Sequence, residues 1–304
     1  MRVRDKTAEC RQENHRGNYA KTQVQFLWYH ILPRNIVAKR LMELCPLASF
    51  LASAFAVTVA GLPLICARLP WEGGLNIENL YIERMNFNFY EEVKALGVNG
   101  VYFVINGMKN KKNDAEFDKI KDSFLQQVDV NSINDKIANS EILRGFRELH
   151  QAVNCSGKKY VSASENLFSY FASRKSLPNI NLIVDIYNYI SFCSELAIGA
   201  HDTQFINGDI DFRLTKGTET FWPLGYPKAI PIKAGEYCYI DASNDVLCRL
   251  EVRQVEKTKV TENTTSCFYI VQGNKATPSS YILKTAKELI EITTKFCGGE
   301  AVYL

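Results

Sequence analysis

The chain has 304 residues, 46% apolar and 23% charged, which is ordinary globular composition with room for one or two domains. Nine cysteines without a C-x-x-C pair argue against a disulfide scaffold and for reduced thiols in a cytoplasmic protein. Four histidines, none at ligand spacing to another histidine or to a cysteine, give no metal site, and no cofactor is expected.

The net charge of +3 is unevenly spread. Residues 1–84 hold 11 Lys and Arg against 7 Asp and Glu, leaving 25 of the 36 basic and 26 of the 33 acidic residues to the remainder, net −1. The larger part therefore lacks the basic excess of a protein that grips nucleic acid through bulk charge. Any such contact needs a local patch, such as Lys109, Lys111 and Lys112, or Lys158 and Lys159.

Residues 1–84 read as an atypical extension. From Leu44 to Ala67 there are 24 residues without a charge, long enough to span a bilayer, and Arg34, Lys39 and Arg40 precede them. Pro46 and Pro63 bracket the run, and its Ala, Ser and Thr content makes insertion marginal. A signal peptide would begin nearer the N-terminus. Three readings stay open: a disordered or non-native extension, a membrane anchor at 44–67, and a targeting segment. The expected location is cytoplasmic, or membrane-anchored through 44–67 if that run is native.

Residues 85–304 read as one domain. Met85-Asn-Phe-Asn-Phe suits a first helix or strand, and Tyr90–Leu96 a short helix ending at Gly97. Gly100–Ile105 is an apolar, β-rich run closed by Asn106-Gly107, a buried strand. Ala115–Gln127 has apolar residues at amphipathic helical spacing. Ser140 caps a helix through His150, and Ser164 caps another, Glu165–Ser173. Leu177–Asp202 holds a Pro-Asn turn, a long apolar helix and a short strand ending in Ala200-His201-Asp202. Asp209–Leu214, Glu236–Ile240 and Val246–Val252 alternate as strands, the last two joined by the turn Ala242-Ser243-Asn244-Asp245. Ser266–Val271 is a further strand, and a helix from Ser279 to about Phe296 closes the chain between Pro278 and Gly298-Gly299. Helices, then strands, then a helix predict an α+β fold with a mixed sheet and flanking helices.

Within the long helix, Asp185 and Asn188 sit three apart on a face otherwise made of Ile, Leu and Tyr. Two polar groups there need partners, at about 1–3 kcal/mol each if left without. They serve either as helix glue or as part of a ligand pocket.

The ordered motifs Pro178–Asn181, Val184–Asn188 and Ile198–Asp202, followed by Gly235-Glu236, Cys248-Arg249, Arg253-Gln254 and Val260–Thr264, resemble the B3/B4 domain of the phenylalanyl-tRNA synthetase beta subunit. They resemble free-standing proteins built from that domain more closely still. Arg147–His150 and Val161–Ser164 add to the likeness, which covers about Met85 to Leu304. The resemblance implies a B3/B4-like α+β domain around a cleft. It implies an RNA-binding protein that hydrolyses mischarged aminoacyl-tRNA or a related aminoacyl ester, or else a non-catalytic tRNA- or amino-acid-binding module. A complete ligase is excluded by length, so enzyme status stays open. The implied partners are aminoacyl-tRNA or its terminal aminoacyl-adenosine and a candidate synthetase partner, with no DNA.

An aminoacyl ester is already activated, so a site need only hold the adenosine, orient a water and stabilise an oxyanion. By the resemblance, Asn188 and His201 are the candidate catalytic residues. Asn188 matches the asparagine of the synthetase's Asp-x-Thr-Asn helix. His201 falls two residues beyond the histidine of its Leu-His-Ala-Phe-Asp, still on the same strand face. A bland alternative for His201 is a turn histidine bonded to backbone near Asp202. The candidate substrate-binding residues are Tyr187 (threonine in the synthetase), Gly199, Asp202, Arg249, Arg253 and Thr261. The two arginines form either an anion site or ion pairs to Asp185, Asp202 or Asp241. His150 reads as a helix-end histidine.

Overall fold

A computed structural model describes residues 85–304, and the expectations for residues 1–84, the apolar run 44–67 included, lie outside it. The described elements run β1 (Phe87–Phe89), α1 (Glu91–Lys94), β2 (Asn99–Asn106), α2 (Ala115–Leu125), α3 (Val130–Asn139), α4 (Glu141–Ala152), α5 (Ala163–Arg174) and α6 (Leu182–Ser194). Then come β3 (Ala197–Asp202), a 3-10 turn at Thr203–Phe205, β4 (Ile210–Leu214), β5 (Tyr237–Asp241), β6 (Val246–Arg249), β7 (Arg253–Gln254), β8 (Cys267–Gly273), α7 (Ser279–Cys297) and β9 (Glu300–Tyr303). Among the described residues no helix is long and apolar enough to cross a membrane.

The fold is α+β with two sheets. One has the order β1-β4-β5-β6-β7, mixed because β1 runs parallel to β4 while the other pairs are antiparallel. The second, β3-β8-β2-β9, is antiparallel throughout. Side chains alternate across a strand, so β2 serves two cores at once. Phe103 and Ile105 face α6 and α7, packing with Ile186, Ile190, Ile282 and Leu289. Tyr102 and Val104 face the other sheet and α4, among Phe146, Phe212, Tyr237 and Tyr239. Aromatic rings join the sheets there: Phe87 of β1 lies 4.1 Å from Tyr102 of β2, and Tyr239 of β5 meets Phe268 of β8 edge-on with centroids 6.4 Å apart, while Phe212 stacks on Tyr239 within the first sheet at 3.9 Å. A smaller core links α3, α4 and α5 to Phe192 of α6.

The helix that carries the site is anchored at its start. Asn181 caps α6, its Oδ1 accepting from Val184 N at 3.2 Å while its Nδ2 donates to Val260 O at 3.1 Å. Asp185 reaches back to accept from Ile180 N at 2.8 Å. At the far end Glu195 takes the left-handed conformation (φ 65) and returns the chain directly into β3.

Three local expectations differ from the structure. Ser162, not Ser164, caps α5, accepting from Glu165 N at 3.3 Å, while Ser164 is buried in the first turn. Helix α3 and strand β9 stand where no element is predicted. The predicted strand Val246–Val252 stops at Arg249, because Leu250 has φ 52 and turns the chain into β7.

Candidate functional site

A cavity of about 230 Å³ opens where the edges of the two sheets approach each other. Edge strand β3 and the middle of α6 form one wall, and β6, β7 and the turn between them form the other. The edges are tied by Gln254, whose Nε2 donates to Ala200 O at 3.0 Å. Gly199 leaves room for this bridge, since a Cβ there would stand 3.2 Å from the same amide nitrogen.

Five sequence-predicted site residues line this cavity: Tyr187, Asn188, Gly199, His201 and Arg253. His201 is fully enclosed; its Nδ1 lies 2.8 Å from Thr258 Oγ1, and its Nε2 has no partner among the described residues. Burial pushes the imidazole down to about 3, so it is neutral at every physiological pH. It sits within β3, bonded to a side chain, and not in a turn against backbone. Asn188 is half-buried at the rim. Its helical neighbour Asp185 is structural, holding Ile180 N, with burial pushing its carboxyl up against that hydrogen bond. The pair on α6 thus divides, one group for the helix start and one for the cavity. Burial raises the Tyr187 phenol.

Behind the cavity lies a chain of buried polar groups. His150 Nδ1 faces Tyr160 O at 3.0 Å and its Nε2 faces Glu251 Oε1 in a buried ion pair. Burial pulls the His150 imidazole down, but the Glu251 carboxylate outweighs it and the net shift is upward. With a carbonyl at one nitrogen and a carboxylate at the other, the surroundings favour the protonated ring. Glu251 Oε2 also accepts from Tyr237 Oη at 2.8 Å and from Gln272 Nε2 at 2.9 Å. Tyr239 Oη then donates to Gln272 Oε1 at 2.7 Å. Glu251, Gln272 and Tyr239 line the cavity, so its inner wall is polar and mostly engaged in its own bonds, Glu251 Oε1 having only the His150 ring beside it. Cys248 also lines it, its thiol pushed up to about 12 by burial and unfit as a nucleophile.

The remaining predicted residues lie elsewhere. Arg249 does not pair with Asp185, Asp202 or Asp241. Its guanidinium forks onto Glu236, through Nε to Oε2 and through Nη2 to Oε1 at 2.7 Å, and Nη2 also donates to Tyr160 Oη at 3.2 Å. It lines a second cavity, of about 340 Å³, which shares Leu250, Val252 and Arg253 with the first. Asp202 is buried and lines neither; it accepts from Gln204 N at 3.0 Å and from Thr264 Oγ1 at 2.7 Å. Thr261 likewise lines neither, its N–H donating to Thr264 Oγ1 at 2.9 Å in the loop before β8. Asp202 and Thr261 thus brace β3 against that loop, outside the lining of both cavities.

Sequence reasoning did not single out Glu251 or Gln272. In an unbroken strand Glu251 would share the face of Arg249. The turn at Leu250 sends Arg249 to Glu236 and Glu251 to His150 instead.

Among known proteins, the B3/4 domain family matches residues 151–295. A solved N-terminal fragment of the phenylalanyl-tRNA synthetase beta subunit from Pyrococcus horikoshii is similar at 16% identity, over 79% of this chain, with a TM-score of 0.39. The chain covers 53% of that fragment, about half its length. No curated protein matches. The matched stretch runs from the end of α4 to most of α7 and contains every wall of the cavity. Residues 151–295 are thus similar to the B3/4 domain, and the likeness is to that stretch of the chain.

Proposed function

We propose that this protein binds tRNA in the cytoplasm and that its cavity takes the aminoacyl end of a mischarged tRNA and hydrolyses the ester, with residues 85–304 as the working unit. The observation that carries this reading is a neutral, buried His201 with an unpartnered Nε2, in the lining of a cavity that Asn188 also lines. With the Thr258 hydroxyl donating to Nδ1, the ring carries its proton on Nε2 and presents a donor to the cavity. Water adds to the ester carbonyl, and the oxyanion that forms accepts from His201 Nε2–H and the Asn188 amide. Collapse breaks the acyl–oxygen bond; the ribose oxygen takes one proton of the attacking water, the other passes to solvent, and the amino acid leaves as its carboxylate. Orientation and oxyanion stabilisation do the work, because an imidazole pushed down to about 3 is a poor base at neutral pH. Tyr187 and Gly199 shape the acyl side, and Arg253 meets the anionic end of the substrate.

One observation favours a second reading, a binding module without turnover: the Glu251 carboxylate that faces the cavity is tied up by His150, Tyr237 and Gln272. The test is loss of the ester from tRNAs mischarged with different amino acids, against a control without protein. Hydrolysis of a subset, falling on the order of 100-fold in Asn188→Ala, supports the deacylase. A flat panel with folded protein ends it and leaves the binding module.

A further inference from the structure

The second cavity is built unlike the first. Its walls come from the segment after α4 (Lys159, Tyr160), from the loop between β4 and β5 (Tyr226, Lys233), and from the Leu250–Arg253 turn that it shares with the first cavity. Residues 220–235 carry two lysines and no acidic residue. The carboxylates nearest this groove are engaged: Glu236 is forked by Arg249, and Glu256 pairs with Lys259 and accepts from Gly225 N. Among the described residues Lys159, Lys233 and Arg253 stand in no ion pair, so the groove carries three uncompensated cations. Beside them the Tyr226 ring is 45% exposed. Its turn is fixed from below, with Trp222 Nε1 donating to Tyr226 O at 2.6 Å and Leu224 N to Gln254 O at 2.9 Å. A held, exposed aromatic ring among free cations, beside a half-open cavity, combines the two elements of single-strand recognition: base stacking and phosphate attraction.

We propose that this groove is a track for single-stranded RNA, holding the unpaired 3′ tail whose end enters the first cavity. Tyr226 stacks one base, Lys159 and Lys233 attract the phosphates, and Arg253, on the shared wall, holds the last phosphate before the cavity. The inference rests on the proposed tRNA function, but its test does not.

The test is fluorescence anisotropy of the full-length protein with a labelled, uncharged single-stranded RNA of about a dozen nucleotides, within the span of single-strand sites. Three cations predict a log–log salt slope of about −2. Lys159→Gln and Lys233→Gln, both on exposed side chains, should each flatten that slope by roughly 0.7. Tyr226→Ala should weaken binding about ten-fold, the value of one stacked base, and Tyr226→Leu, which keeps bulk without the ring, should lose the same. Absence of wild-type binding, an unchanged slope in the double lysine variant, or equal affinity for a duplex of the same sequence would overturn the proposal. The RNA carries no ester, so failure of the deacylase reading leaves this result standing. Deacylation of tRNA without strand binding would remove the groove and keep the cavity.

Discussion

Acid titration of His201 is the most direct check on the site. In the unfolded chain a histidine titrates near about 6.5. In the fold burial pushes His201 down to about 3. As pH falls below the unfolded value the unfolded state takes up a proton that the native state refuses, so stability is lost as the solution becomes more acid. Above the unfolded pKa the group contributes nothing to the pH dependence. Two pH units below it the cost is about 2.7 kcal/mol, one unit of mismatch being worth about 1.36 kcal/mol. His150 acts in the opposite sense, since its raised pKa adds stability that is lost as pH rises. Comparing wild type with His201→Gln cancels that term, because both chains keep His150. Urea unfolding of the two proteins from neutral to acid pH should show the wild type losing about 2.7 kcal/mol more than the variant. Parallel curves would mean that His201 protonates in the native state. That result would refute the dry, neutral histidine on which the proposed hydrolysis rests.

Two substitutions test the frame around the site. Arg249→Ala strands the Glu236 carboxylate, which is almost wholly buried, and should cost about 3–5 kcal/mol in urea unfolding. Adding Glu236→Gln should return much of that loss. Gly145→Ala should destabilise by about 1–3 kcal/mol although alanine is the better helix former. A Cβ at Gly145 would stand 2.3 Å from Asn274 Oδ1, and Asn274 is held by bonds to Ile142 O at 2.9 Å and from Ala276 N at 3.0 Å. A thermal melt unchanged from wild type would show that the α4–Asn274 contact yields more easily than these bonds imply.

Local chemistry made α6 and β2 legible. Asn181 ahead of an apolar run announces a capped helix, and Gly100–Ile105 announces a strand buried on both faces. Tyr187, Asn188, Gly199 and His201 could be placed near one another for the same reason, since α6 and β3 are consecutive and joined by only two residues. The other wall could not be read this way. A left-handed leucine leaves no compositional trace, so the Leu250 turn is invisible in sequence, and with it the separation of Arg249 from Glu251. The partner of Arg249 depends on the register of β5 against β6, where Cys238 faces Arg249 and brings Glu236 alongside. Asp202 and Thr261 match their motifs by type, but they share one partner, the Thr264 hydroxyl, a meeting fixed only when β3 reaches the loop before β8. Helix α3 has apolar residues Val130, Ile133 and Ile137 at helical spacing behind an Asp129 cap, a signal that was present but short.

The cavity has jaws on two sheets, and the sheets are spaced by aromatic rings beside it, Tyr239 against Phe268 and Phe87 against Tyr102. Its gauge is therefore set as in a calliper, by the hinge as much as by the jaws. Changing a rim residue such as Tyr187 alters what the cavity feels like to a side chain inside it. Thinning the rings between the sheets, as at Phe268, alters how large that side chain can be. Selectivity in this domain can thus drift through residues that never meet the ligand, while the Gln254–Ala200 tie keeps the jaws from parting altogether.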